Sequence, residues 1–137
     1  MSRVIQHATR YRVRYSDTDK MGVVYHGNYL RFFEIARTEM LRSIGLPYAE
    51  LESSGYLLPV LESYAEYVYP ARYDDELELH ASIPVELNVR LTITYHIESG
   101  GRTLARGWTR HAFVKAESFL PTRPPKNFID IVQGSCT

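Results

Sequence analysis

The sequence predicts an α+β fold on three observations: one long amphipathic helix early in the chain, a series of β-rich segments after it, and no internal repeat or low-complexity tract. At 137 residues the chain suits one domain spanning residues 1–137. A domain of this size buries roughly two-thirds of the surface its unfolded form would expose, so its core needs no staples.

From Thr9 to Tyr15 the pattern alternates, with Tyr11, Val13 and Tyr15 on one side and Arg10, Arg12 and Arg14 on the other, the period of a half-buried strand. This strand leads into a polar turn containing Asp17, Asp19 and Gly22. A helix is expected over Asn28 to Ile44. Tyr29, Phe33, Ala36, Met40 and Ile44 recur there at three- and four-residue steps, and Phe32 and Leu41 widen the apolar stripe. Asn28 reads as the N-cap, its side-chain oxygen accepting from a free backbone N–H one turn on, and Gly45 as the stop. Pro47 to Ser54 predicts a short helix closed by Gly55.

Strands are then expected at Tyr56–Glu62, Ala65–Tyr69, Glu76–Val85, Val89–Ser99 and Arg102–Lys115, all rich in β-branched and aromatic residues. Ser99-Gly100-Gly101-Arg102 reads as a tight hairpin turn, because paired glycines reach positive φ without a Cβ penalty. Pro121, Pro124 and Pro125 end the regular structure before a terminal helical turn at Asn127–Val132. One helix covers only part of such a sheet. Its remaining apolar surface, in a chain with 11 tyrosines, is expected to be covered by a second subunit.

Composition narrows the function. Lys plus Arg and Asp plus Glu both total 16, so the net charge is zero and the broad basic surface needed to bind nucleic acid is lacking. The lone cysteine, Cys136, cannot form an intrachain bridge, which leaves a cytoplasmic protein as the expectation. No segment resembles a signal h-region or approaches the roughly 18 apolar residues of a membrane span.

The stretch from Tyr15 to Gly45 joins an acidic turn to a helix start and is the expected site. A helix N-terminus offers unpaired N–H donors and a partial positive charge, which stabilise a carbonyl oxygen as it gains negative charge. Asp19 is either a reactive carboxylate or an Asx-turn residue bonded to nearby amides, whereas Asp17 reads as structural at the strand end. His26 on its own is as readily a hydrogen-bonded structural histidine as a substrate contact. A calcium loop beginning at Asp17 fails, because its fifth and twelfth positions are Met21 and Asn28, and no metal is expected.

Tyr15-x-Asp17-Thr18-Asp19-x-x-Gly22-Val23-Val24-Tyr25-His26-x-x-Tyr29, followed by Glu34-x-Ala36-Arg37-Thr38-Glu39, resembles the 4-hydroxybenzoyl-CoA thioesterase-like hotdog family, and within it the bacterial acyl-CoA thioesterase branch. Tyr67-x-x-Pro70-Ala71-Arg72-x-Asp74-Asp75-x-Leu77 resembles the same family's connection between early strands, so the likeness covers nearly the whole chain. It implies a curved antiparallel sheet wrapped around one long central helix, assembled as a homodimer or homotetramer with active sites between subunits. Asp19 matches the family's catalytic carboxylate, as nucleophile or general base. Backbone N–H groups at His26 and Gly27 match its carbonyl-polarising site, with Tyr25 and His26 as further substrate contacts. Glu34 is a rival base, because other hotdog enzymes carry their carboxylate on the helix. His rather than Tyr at position 26 sides with the acyl-CoA branch.

The implied activity is hydrolysis of acyl-CoA without a cofactor. A thioesterase acting on acyl carrier protein and a noncatalytic acyl-binding scaffold are the alternatives. Arg72, Arg90, Lys115 and Arg123 are candidates for CoA phosphates by residue type alone.

Overall fold

The computed structural model describes residues 4–134; Cys136 lies outside them. The elements in order are β1 (Val4–Arg12), a 3-10 turn (Tyr15–Asp17), α1 (Asn28–Ser43), α2 (Tyr48–Ser53), β2 (Tyr56–Leu57), β3 (Val60–Tyr67), β4 (Glu76–Pro84), β5 (Arg90–Ser99), β6 (Arg102–Ala112), β7 (Val114–Lys115) and α3 (Lys126–Gly134). Five strands form an antiparallel sheet in the order β1-β4-β5-β6-β3, and β2 pairs with β7. A long helix against an antiparallel sheet is the arrangement that the family resemblance implies.

α1 forms where the apolar period predicts it, burying Tyr29, Phe32, Phe33, Ala36, Met40 and Leu41. It ends in a Schellman motif: Leu46 N–H donates to Leu41 C=O at 2.9 Å, and Gly45 N–H to Arg42 C=O at 3.1 Å. Gly45 takes φ +85° there, a conformation costly to a residue with a Cβ. The inner sheet face meets this helix with Leu77, Leu79, Ala81 and Ile83 from β4 and Leu91, Ile93, Tyr95 and Ile97 from β5, all buried. The Phe33 ring stacks on Tyr95 with centroids 4.3 Å apart. Gly107 of β6 permits this approach, since a Cβ there would stand 2.1 Å from Tyr64 C=O and 2.9 Å from the Phe33 ring.

Three expected boundaries are corrected. β1 ends at Arg12 rather than Tyr15, because the Asp17 carboxylate takes the Arg14 N–H at 2.8 Å and folds Tyr15–Asp17 into a 3-10 turn. The segments Tyr56–Glu62 and Ala65–Tyr69 divide elsewhere: Pro59, which lacks an N–H, separates the two-residue β2 from a continuous β3 that is irregular between Val60 and Glu62. The last strand stops at Ala112, where Phe113 N–H turns to Val89 C=O and Val114–Lys115 leaves to pair with β2. The terminal helix is longer than expected and docks through Phe128 and Val132, with Phe128 edge-on to Phe113 at 5.1 Å.

Candidate active site

The acidic turn is held by backbone pairing at both ends. Asp19 N–H donates to Val23 C=O at 2.9 Å, and Gly22 N–H to Asp19 C=O at 3.0 Å, with Gly22 at φ +80° closing the turn. Val24 N–H then donates to Ala71 C=O at 2.8 Å, and Val23 bridges Arg72. The segment between β3 and β4 therefore lies against the turn, joining the two stretches that carry the family resemblance.

The two aspartates of the turn have different surroundings. Asp17 is buried, and its carboxylate accepts from Tyr11 Oη at 2.8 Å, from Arg14 N–H at 2.8 Å and from the Arg31 guanidinium. Asp19 is half-buried and lines a cleft of about 280 Å³. Its Oδ1 accepts from Met21 N–H at 2.8 Å, the Asx turn that the sequence allows, while Oδ2 has no hydrogen-bond partner among the described residues.

Val23, Val24, His26, Tyr29, Tyr67 and Pro70 also line this cleft. Tyr29 rises from the first turn of α1, and its oxygen accepts from Ala71 N–H at 3.4 Å. Burial pushes the Tyr29 phenol up. Tyr67 meets Tyr29 edge-on at 5.2 Å and donates to His26 C=O at 3.4 Å. The His26 ring leans on Tyr25 with centroids 4.5 Å apart, and both side chains are exposed.

The helix start differs in one respect from the expectation. Gly27, with helical φ of −63°, is the N-cap, and Asn28 is the first helical residue. Asn28 does not cap α1 with its side-chain oxygen; its Nδ2 donates to Asp17 C=O at 2.9 Å and ties helix to turn. Asn28 and Tyr29 N–H groups are taken by Tyr25 and His26 carbonyls at 2.9 and 3.2 Å. The N–H groups of His26 and Gly27 have no acceptor among the described residues. Asp19 and His26 share one cleft, with Tyr25 and Gly27 beside it in the chain.

Glu34 is exposed and lines a different cleft, of about 460 Å³, with Arg37, Thr38, Leu41, Tyr48, Leu58, Pro59 and Val60. Within one chain it is not brought to Asp19. Of the four basic candidates, Arg72 is backbone-paired to the cleft residue Val23, whereas Lys115 stands over the Tyr56 ring at 4.7 Å. The wall from Tyr67 to Pro70 is not foreseen by the sequence reading, which takes Ala65–Tyr69 as strand. Its signal is that Tyr67 and Pro70 both belong to the second resemblance motif.

The thioesterase-like superfamily matches residues 13–131 of this chain. The acyl-CoA thioester hydrolase YbgC of Escherichia coli O6:H1 (strain CFT073) is 41% identical over 93 residues, covering 68% of this chain and 69% of that protein. The acyl-CoA thioesterase YbgC of Haemophilus influenzae is 32% identical over 116 residues, covering 84% and 85%. A crystal structure of DHNA-CoA thioesterase from Staphylococcus aureus superposes with a TM-score of 0.85 at 31% identity, covering 91% of this chain and 85% of that one.

Proposed function

This chain belongs to the thioesterase-like superfamily, and we infer that it is an acyl-CoA thioesterase in which Asp19 supplies the reacting carboxylate. The relatives are named for acyl-CoA thioester hydrolysis, and that chemistry suits the cleft. What carries the reading is that Asp19, with one carboxylate oxygen lacking a partner among the described residues, and His26 line the same largely apolar cleft, and that neither the His26 N–H nor that of the adjoining Gly27 has an acceptor among those residues.

In the proposed reaction the thioester carbonyl turns its oxygen toward the His26 and Gly27 N–H groups and its carbon toward Asp19. The carboxylate attacks that carbon, or takes a proton from a water that does. Negative charge gathers on the oxygen, where the two N–H groups and the helix dipole offset it. The tetrahedral intermediate then collapses with breakage of the C–S bond, and the CoA thiolate leaves and takes up a proton. If Asp19 attacks directly, water hydrolyses the resulting anhydride and restores the carboxylate. The chemistry calls on no metal or organic cofactor.

The active assembly is a homodimer or a homotetramer of one-domain chains in the cytoplasm. The outer edge of the five-stranded sheet supports this. Among the described residues β3 has no neighbour on one side, and Val60, Leu61, Tyr64 and Tyr67 along it are each at least 45% exposed. An apolar open edge of this kind pairs with another chain. The Asp19 cleft includes Tyr67 at the end of that edge, so a partner strand extends it. A cleft of about 280 Å³ in one chain is small for an acyl group with its pantetheine arm.

The test is release of free thiol from a panel of short, long, branched and aromatic acyl-CoAs, run beside matched acyl carrier protein thioesters. Turnover of CoA esters supports the reading. Acyl-CoA binding without turnover anywhere in the panel contradicts it in favour of a scaffold.

A further inference from the structure

The sheet face turned away from α1 holds a second cluster that thioester hydrolysis does not use. β4 and β5 run antiparallel there with His80 directly opposite His96 and Glu78 directly opposite Glu98. Residues two apart on a strand share a face, so the four side chains form a square above the sheet. His80 Nε2 lies 3.4 Å from Glu78 Oε2 and 3.4 Å from Glu98 Oε1, and His96 Nδ1 lies 3.9 Å from Glu98 Oε2. Donor atoms of His80, His96 and Glu98 all fall within 4.8 Å of one another.

Two features mark this square as more than a solvated patch. Like charges directly opposite on adjacent strands are destabilising, and Glu78 and Glu98 pair with no Lys or Arg among the described residues. The arginines across the register pair with other carboxylates: Arg10, opposite Glu78, with Glu76 at 3.6 Å, and Arg106, opposite His96, with Glu66 at 2.8 Å. The second feature is His80 Nε2, which is shielded from solvent and makes no hydrogen bond among the described residues, although two carboxylate oxygens lie 3.4 Å from it. A cation between these groups would give both carboxylates and that nitrogen a partner.

We propose that His80, His96 and Glu98, with Glu78 as fourth donor, bind a divalent transition-metal ion of the zinc class. Imidazole and carboxylate together suit such ions better than calcium or magnesium, which take oxygen donors alone. Tetrahedral bonds to zinc of 2.0 to 2.1 Å set the ligand atoms about 3.3 Å apart. Both His80–carboxylate separations are already 3.4 Å, and His96 Nδ1, 3.9 Å from Glu98 Oε2, must close in to reach the same spacing. Thr103 orients that ring. His96 Nε2 stands 2.8 Å from Thr103 Oγ1; with the hydroxyl accepting, Nε2 carries the proton and Nδ1 presents its lone pair to the square. The site stands on the sheet face turned away from α1, shares no residue with the Asp19 cleft and cross-links β4 and β5, so the ion's role is structural.

The test is calorimetric titration of the full chain with Zn²⁺ in a non-chelating buffer, beside the visible spectrum of the Co²⁺ form. One equivalent of zinc per chain is expected, with a Co²⁺ absorption typical of tetrahedral nitrogen and oxygen donors. His80→Ala and His96→Gln should each abolish the stoichiometric binding, and Thr103→Val should weaken it by about tenfold through the lost orienting bond. Asp19→Asn should bind zinc as the unaltered chain does. Circular dichroism verifies that each variant is folded. Undiminished one-to-one binding in folded His80→Ala or His96→Gln overturns the proposal, as does the absence of stoichiometric binding to the unaltered chain.

Discussion

Asp17 and Asp19 stand two residues apart on the same turn, and only Asp19 has a carboxylate oxygen without a hydrogen-bond partner among the described residues. Asp17 is 3% exposed, with its carboxylate held by Tyr11, Arg14 and Arg31. Asp19 gives one oxygen to the Met21 N–H and leaves the other, at the edge of the cleft, without a partner among the described residues. The first fixes the turn so that the second can act.

Replacing Asp17 should therefore lower stability before it affects chemistry. Asp17→Ala removes the acceptor for Tyr11, Arg14 and Arg31 in a buried setting, where a bond to a charged group is worth about 1.5 to 3 kcal/mol. A loss of about 2 to 4 kcal/mol is expected, read from the denaturant midpoint, with Arg31's partial exposure limiting the damage. A variant as stable as the parent contradicts the anchoring role.

The backbone role of the helix start is separable from its side chains. Gly27→Pro removes one unpaired N–H while keeping the observed φ of −63°, which proline accepts. Gly27→Ala is the control, because its Cβ makes the same approach to the Tyr25 ring, 2.7 Å before adjustment, yet it keeps the N–H. The ratio of kcat between the two should be about 10² to 10³ in favour of alanine, the usual cost of one oxyanion donor. His26→Ala, which retains its N–H, should stay within about tenfold of the parent in kcat, far short of that donor loss.

Acid should weaken the fold through His111. This residue is buried between Leu58 C=O, 3.1 Å from Nδ1, and Thr109 Oγ1, 2.8 Å from Nε2, in a polar chain that continues through Tyr95 to Arg37. Burial above all, aided by the Arg37 charge and opposed by the Leu58 carbonyl, pushes its pKa down from 6.5 to about 4. The folded chain thus keeps His111 neutral while the unfolded chain takes up a proton as pH falls below 6.5. The contribution is complete above pH 6.5 and is lost toward pH 4, amounting to about 3 kcal/mol across that window. Denaturation between these limits should show the slope in the parent and a shallower one in His111→Gln.

Much of the fold is legible in the sequence because its signals are local. The α1 stripe repeats over four turns, and the hairpin glycines at 100 and 101 both take positive φ as the turn requires. What is not legible depends on residues distant in sequence. Asn28 has the composition of a cap, but its amide finds Asp17 C=O, eleven residues earlier, only once the turn has folded. Tyr67 reads as strand from its neighbours, and becomes a wall of the Asp19 cleft because Ala71 pairs with Val24. The metal-type square above β4 and β5 is equally hidden, since register alone sets His80 opposite His96. Asp19 makes the Asx turn that the sequence allows with one oxygen and keeps the other without a partner among the described residues, which leaves it available for the proposed chemistry.

Self-association is tested at the open β3 edge. Light scattering on the eluting protein should give a dimer or a tetramer, and Val60→Lys with Leu61→Lys should shift it to smaller species, because charge on an exposed edge blocks strand pairing. Activity should fall together with assembly. A fully active monomer contradicts the shared site.

The most direct test of Asp19 is the acyl-CoA turnover of Asp19→Asn beside the parent. The amide keeps the shape and the side-chain oxygen that accepts from Met21 N–H, so the turn should survive and the denaturation midpoint should move little. A positioned acid or base is worth about 10² to 10⁴ in rate, and kcat should fall by at least that much while acyl-CoA still binds. A folded Asp19→Asn chain that hydrolyses acyl-CoA at the parental rate would contradict the assignment outright.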